Sequence, residues 1–234
     1  MREANTREVL IQQGLKAFLA YGYDGVGIGP VLSAVGVPKG SFYHFFRSKE
    51  DFAIAVLDAY AARYASFRET LSTDDRRPPL QRLRSHFAAL EKQLTAEYPE
   101  GGCLYGVLSQ TMATLGPVLR KRLHESFQNW EKSIIVVLQQ AQDRGDLDPE
   151  VNVKSAAAFL IDAYEGALIR MKSDGVAATF DRFKTFALEP ILGPKGQTKP
   201  LVDEVRRPSL HRQKFRSGTN ANKKLPKQRS STRS

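Results

Sequence analysis

The stretch GVGIGPVLSAVGVPKGSFYHFFRSKE, Gly25–Glu50, decides the fold. Its spacing predicts two short helices, over about 29–35 and 38–46, with a tight break at Gly36 between them. Pro30 suits the first turn of the leading helix, where no amide donor is needed. Two short helices joined by a brief turn containing glycine make a helix-turn-helix. Ile28, Val31, Leu32 and Val37 supply its apolar side. Phe42 and Phe45, three apart, face the same core, and Phe42, Phe45 and Phe46 read as packing groups rather than as platforms for stacked bases.

That division leaves Lys39, Gly40, Ser41, Tyr43 and His44 for the outer face and N-terminus of the second helix. These residue types suit a DNA duplex. Lysine pairs with phosphate or with guanine acceptors, and serine donates to a base edge or a phosphate. Gly40 lets the backbone come close to the groove. Tyr43, His44 and Lys49 are placed to hold phosphate oxygens, which fix register while base edges specify sequence.

The helical pattern extends outward on both sides. Apolar residues recur at three-to-four spacing from Leu10 to Tyr21, predicting a first helix over about 5–21 that Gly22 ends. A long fourth helix is expected over 49–71, with Ser48 as its N-cap and Asp51 in a capping-box-like role. Further helices are expected over 80–98, 103–113, 117–144, 151–172 and 177–188. The fold class is therefore all-α, with about nine helices. Residues 1–48 are expected to form a helix-turn-helix DNA-binding domain, and 49–192 a larger helical domain.

Past Leu192 the composition shifts to Gly, Pro, Ser, Asn, Lys and Arg, and residues 193–234 read as a disordered basic tail. The tail carries 12 Lys/Arg against 2 Asp/Glu, whereas residues 1–192 carry 23 of each sign. The whole net charge of +10 thus belongs to the tail. It could add non-specific attraction to phosphates. The only cysteine is Cys103. With no disulfide possible, no leader-like N-terminus and no long apolar run, the expectation is a cytoplasmic protein without a membrane segment.

At Val37–Glu50, Val-Pro-Lys-Gly-Ser-Phe-Tyr-His-Phe-Phe-Arg-Ser-Lys-Glu, the sequence resembles the TetR/AcrR family of regulators. The resemblance implies a homodimer that binds double-stranded, palindromic operator DNA and is released by a ligand of the C-terminal domain. It places Lys39, Gly40, Ser41 and Tyr43 at DNA-contacting positions, with His44 and Lys49 at phosphate positions. Val26, Gly27 and Gly29 depart from the family pattern at the start of the second helix, so Gly27 must cap by backbone alone. Dimerisation falls to the last two helices. There Ala156, Ala163, Gly166 and Ala167 allow close approach, and Ile161, Leu168, Phe180, Phe183 and Phe186 fill a seam.

Gly101-Gly102-Cys103-Leu104 opens a short helix after a break. A thiol in a first helical turn is expected to have a lowered pKa. A small buried hydrophobe is the other reading. Gly-Cys-Leu at this place resembles the NemR/AcuR-like branch of the family, whose members respond to reactive electrophiles or small unsaturated acids. The resemblance makes Cys103 the sensing position. A non-covalent effector pocket is the competing account, with Phe87, Tyr105, Trp130 and Tyr164 as candidate linings. No metal-ligand spacing and no cofactor motif occurs. A helical enzyme, or a scaffold without sequence-specific DNA binding, is the rival class. Its one catalytic option is Cys103 paired with His86 or His124.

Overall fold

The structure is a computed structural model that describes residues 2–97, 102–111 and 115–193. The expected tail lies outside the described residues, apart from Gly193. Those residues are helical without strands.

Helix α1, Arg2–Gly25, buries Leu10, Ile11, Leu15 and Phe18. It starts earlier than the sequence pattern suggests. Its course breaks at Gly22, where φ is 68°, a left-handed value that glycine adopts without a Cβ penalty. Helices α2, Ile28–Ala34, and α3, Lys39–Phe45, form the helix-turn-helix. Val31, Leu32 and Phe42 are buried, and Ile28, Val37 and Phe45 pack partly buried against the same core. Gly27 caps α2 with no side-chain hydrogen bond, as expected of a residue with no side chain to offer.

Helix α4, Lys49–Arg63, begins as anticipated. The Ser48 hydroxyl accepts from the Asp51 amide at 3.0 Å, and the Asp51 carboxylate accepts from the Arg47 amide at 2.9 Å. It does not run to Leu71. The chain breaks at Tyr64, and α5, Ala65–Thr73, follows as a separate helix. The break has local partners. Tyr64 stacks on Tyr60 with ring centroids 4.8 Å apart, and the Arg68 guanidinium takes up the Ala61 carbonyl at 2.8 Å. Apolar periodicity alone could not show this, because both helices keep the same buried face.

Helices α6, Pro79–Glu97, α7, Leu104–Ser109, and α8, Pro117–Asp143, come next. The α7 helix is shorter than the 103–113 expected, and residues 112–114 lie outside the described set. On α8, Leu119, Leu123, Trp130, Ile134, Val137 and Ala141 recur at helical spacing and are buried. Helix α9, Val153–Asp174, is capped by Asn152. The last segment runs as α10, Val176–Phe183, through a π turn at Lys184–Leu188, into α11, Glu189–Leu192. With α4–α5 and α10–α11 each taken as one subdivided helix, the nine anticipated helices are present. None is long and apolar enough to cross a membrane among the described residues.

The anticipated seam needs correction. Ile161, Leu168, Phe180 and Phe183 are buried within the subunit's own core, where α9 packs on α8 and α10. Phe183 and Phe180 close around Tyr164, at 5.5 and 5.7 Å between centroids. A helix wrapped by three neighbours has no spare apolar face at those positions. The outward apolar groups are Phe159, Ile169 and Phe186.

Candidate DNA-binding face and effector cavity

The helix-turn-helix sorts its residues by face. Phe42 is fully enclosed against Phe46 and Phe52, with centroids 5.3 and 5.4 Å away. On the far side of the same helix, Lys39, Gly40, Tyr43 and His44 are exposed and Ser41 is half-buried. Tyr43 is 56 % exposed, an unusual position for a large ring unless a partner covers it. Gly40 has no atom within 4 Å of where a Cβ would stand. Nothing in the protein itself therefore requires glycine there, although glycine weakens a helix relative to alanine by up to about 1 kcal/mol.

Lys49, the first residue of α4, sits less freely. Its ammonium lies 4.5 Å from the Tyr23 ring centroid, a cation–π contact. Burial lowers its pKa, and the Asp24 carboxylate partly offsets that. The next residue, Glu50, links this end of the molecule to α8. Its carboxylate accepts from the Leu119 amide at 3.3 Å, one of the amides at the N-terminus of α8 that lack an intrahelical acceptor.

In the helical bundle behind, Tyr60, Tyr64, Arg68, His86, Leu90, Leu94, Cys103, Tyr105, Trp130 and Tyr164 enclose a cavity of about 30 Å³. Of the linings named from sequence, Tyr105, Trp130 and Tyr164 are brought together here. Phe87 is not; it packs against Tyr164 and Phe183 in the core behind the wall. The hydroxyls of Tyr64, Tyr105 and Tyr164 are enclosed without a hydrogen-bond partner. Their residues are only 6, 3 and 1 % exposed. Buried hydroxyls are nearly always paired, so three on one cavity mark it for polar contents. His86 accepts from the Trp130 indole at 3.2 Å, and burial drives its pKa down to about 3, so it is neutral.

Cys103 lines this cavity, but not as a first-turn thiol with a lowered pKa. It is the N-cap of α7, and it is buried. Burial raises the thiol well above its ordinary value, and the Glu165 carboxyl pushes it further the same way. The loss of hydration outweighs the weak dipole of a six-residue helix. The Tyr60 hydroxyl donates to its Sγ at 3.5 Å. His86 shares the cavity with Cys103, yet its Nε2 is committed to Trp130. His124 is exposed on α8 and does not line the cavity. Neither histidine activates the thiol. Among the described residues no three His, Cys, Asp or Glu side chains converge as metal ligands.

Sequence reasoning missed Tyr60, Tyr64, Glu50 and Glu165, and named His86 only as a partner for Cys103 in the rival enzyme reading. The signals were faint. Tyr60 and Tyr64 are four apart on one helical face, and Glu165 interrupts the apolar run of α9.

Comparison with known proteins agrees with this architecture. Residues 6–56 match the family described as bacterial regulatory proteins, tetR family, and residues 79–187 match the tetracyclin repressor-like C-terminal domain. The HTH-type transcriptional repressor DhaR of Mycobacterium sp. (strain GP1) is 32 % identical over 195 residues, covering 82 % of this chain and 95 % of that protein. The transcriptional regulator AcuR of Cereibacter sphaeroides is 34 % identical over 163 residues, covering 70 % of this chain and 74 % of that one. The crystal structure of reduced NemR from E. coli shares the fold, with a TM-score of 0.72 at 24 % identity over 82 % of this chain and 99 % of that one. With a helix-turn-helix that keeps its polar face outward and a larger helical domain behind it, this chain belongs to the TetR family of DNA-binding transcriptional regulators, not to an enzyme family.

Proposed function

We propose that this regulator is a cytoplasmic repressor that binds a palindromic operator as a homodimer and releases it when a small reactive effector reaches Cys103. In this reading residues 1–48 hold the duplex and 49–192 carry effector and dimer contacts. Lys39, Gly40, Ser41 and Tyr43 enter the major groove, and His44 and Lys49 hold phosphates, Lys49 after leaving the Tyr23 ring. The basic residues of 193–234 add phosphate attraction. The second subunit covers the exposed Phe159 and Ile169 of α9 and Phe186 beyond α10. Two subunits are needed because a palindrome offers two half-sites. The repressor and regulator relatives support the operator role. The effector role is supported by Cys103 standing on the wall of the cavity.

The observation that carries the DNA reading is the open space over Gly40. A fold-serving glycine would be crowded or at positive φ; this one is neither. Gly40→Ala should therefore leave the free protein as stable or raise its stability by up to about 1 kcal/mol. The same change should weaken binding to a palindrome selected from random duplexes by tenfold or more, each lost close contact costing roughly 1–3 kcal/mol. Equal operator affinity, or failure to select any palindrome, overturns the reading.

A further inference from the structure

Cys103 stands between two voids. One is the effector cavity; the other is a cleft of about 10 Å³ formed with Gly102, Gly106, Gln110, Glu165 and Lys172 among others. Glu165 reaches the thiol from α9. Its position depends on Gly106, where a Cβ would stand 2.2 Å from Glu165 Oε2. Its other oxygen, Oε1, is enclosed with no hydrogen-bond partner. Burial raises this carboxyl to about 7; the hydrogen bond with Cys103 pulls it down and the Asp162 carboxylate pushes it up. Glu165 as a residue is half-buried, but an acid with one enclosed and unpaired oxygen is costly to a fold and is a recognised mark of a functional group.

We propose that Glu165 carries the proton when Cys103 adds to small α,β-unsaturated carbonyl compounds. This rests on Cys103 being the effector-sensing residue. The thiol passes its proton to the Glu165 carboxylate as Sγ bonds to the β-carbon. The π pair of the C=C bond moves toward the carbonyl oxygen, giving an enolate. Glu165 then returns the proton to the α-carbon, so that S–H has added across the double bond and no other reactant is consumed.

The cavity selects this class of compound. It offers the hydroxyls of Tyr64, Tyr105 and Tyr164, each able to donate, with the Arg68 guanidinium, bonded to the Ala61 carbonyl, beside them. Its one imidazole acceptor is already taken by Trp130. Donors aimed at a developing oxyanion stabilise the enolate more than the starting carbonyl. A volume of about 30 Å³ admits only a few non-hydrogen atoms, since one water needs roughly 10–15 Å³ on this measure.

The titratable groups around the pair are Asp162, Tyr164 and Lys172 on α9, Tyr60 on α4, Tyr64 at the break after it, Arg68 on α5, His86 on α6 and Tyr105 on α7. None of the tyrosines ionises below pH 9, because burial raises all four, and His86 is neutral. The first proton lost from the Cys103–Glu165 pair therefore sets the rate profile.

The test is the rate of Cys103 alkylation by acrolein between pH 5.5 and 9, read by intact mass, with Cys103→Ser as the blank. The wild-type rate should rise through pH about 7 and then level. Glu165→Gln should be at least roughly a hundredfold slower at pH 7.5, the low end of general-base contributions, and should keep rising with pH without levelling. A wild-type rate that climbs without a plateau, or a Gln variant that matches wild type, overturns the role of Glu165 while leaving Cys103 as the sensor. No alkylation of wild type at any pH overturns both. If the Gln variant does not fold, the wild-type profile decides alone.

Discussion

Gly116→Ala should loosen the joint between the DNA-facing end of the molecule and the effector domain. Gly116 caps α8 with φ −66° and ψ 162°, angles alanine adopts without strain. Its added Cβ would stand 2.3 Å from Glu50 Oε1 and 2.6 Å from Cδ, so the carboxylate must leave the helix N-terminus. That loses the acceptor of the Leu119 amide, at 3.3 Å a long bond and so at the weak end of its class. It also loses a carboxylate at the positive end of the dipole, worth about 0.3–1 kcal/mol. Together the loss is about 1–2 kcal/mol. Against it stands a gain of about 0.4–1 kcal/mol, because alanine restricts the unfolded chain. The net effect runs from near neutral to destabilisation by about 1.6 kcal/mol. In a Glu50→Ala background the clash is gone, and the same substitution should stabilise by the unfolded-state term alone. Urea unfolding of the four proteins measures the coupling. A coupling under about 0.3 kcal/mol, the ordinary scatter of additivity, would refute the assignment of Glu50 as the cap of α8.

Two further outcomes follow from local contacts. Ser48→Ala should lower stability by about 1 kcal/mol and Ser48→Gly by only a few tenths, since the hydroxyl satisfies the Asp51 amide and glycine leaves it open to water; equal losses would show the cap to be idle. His86 is held neutral with its pKa lowered from 6.5 to about 3, so only the unfolded chain takes its proton readily as the medium acidifies. Its contribution is whole above pH 6.5 and falls as pH drops toward 3. Denaturant unfolding between pH 8 and 4.5 should show a slope that His86→Gln flattens, and an unchanged slope would assign the acid sensitivity elsewhere.

The DNA-facing half was legible because its signals are local. Ser48 caps within three residues, Gly27 and Gly36 punctuate, and Phe42 and Tyr43 sort to opposite faces by helical geometry alone. The effector half was legible only as a pattern of helices. Trp130, Tyr105 and Tyr164 could be named as aromatic, but their convergence depends on α7, α8 and α9 meeting, a non-local fact. Phe180 and Phe183 failed as seam residues for the same reason: amphipathic spacing shows that a face is covered, not by which neighbour. Of the two Cys103 readings, burial is met and the lowered pKa failed on magnitude. A sequence shows the helix start that lowers a thiol's pKa, but not the burial that raises it further.

The path from cavity to DNA can be traced along α4 as one rigid body. Tyr60 near its C-terminal end holds Cys103 Sγ, while Lys49 and Glu50 form its first turn. At 1.5 Å per residue, its 15 residues span about 22 Å. A cavity of about 30 Å³ admits only a few non-hydrogen atoms, so an adduct on Sγ would fill it and bear on its walls, of which Tyr60 is one. The Tyr60 ring is locked against Tyr64 and Tyr105, at 4.8 and 5.3 Å, so the displacement passes to the helix rather than being absorbed by a rotamer. At the far end, α4 carries Lys49 directly and is tied through Glu50 to α8, whose Trp130 lines the same cavity. Both helices that would feel an adduct therefore meet again at Glu50, in the first turn of α4. In the proposed dimer, full switching between two geometries would need roughly 5.5 kcal/mol of differential effector interaction. Two modified subunits divide that to under about 3 kcal/mol each, which is within what overfilling a packed core costs.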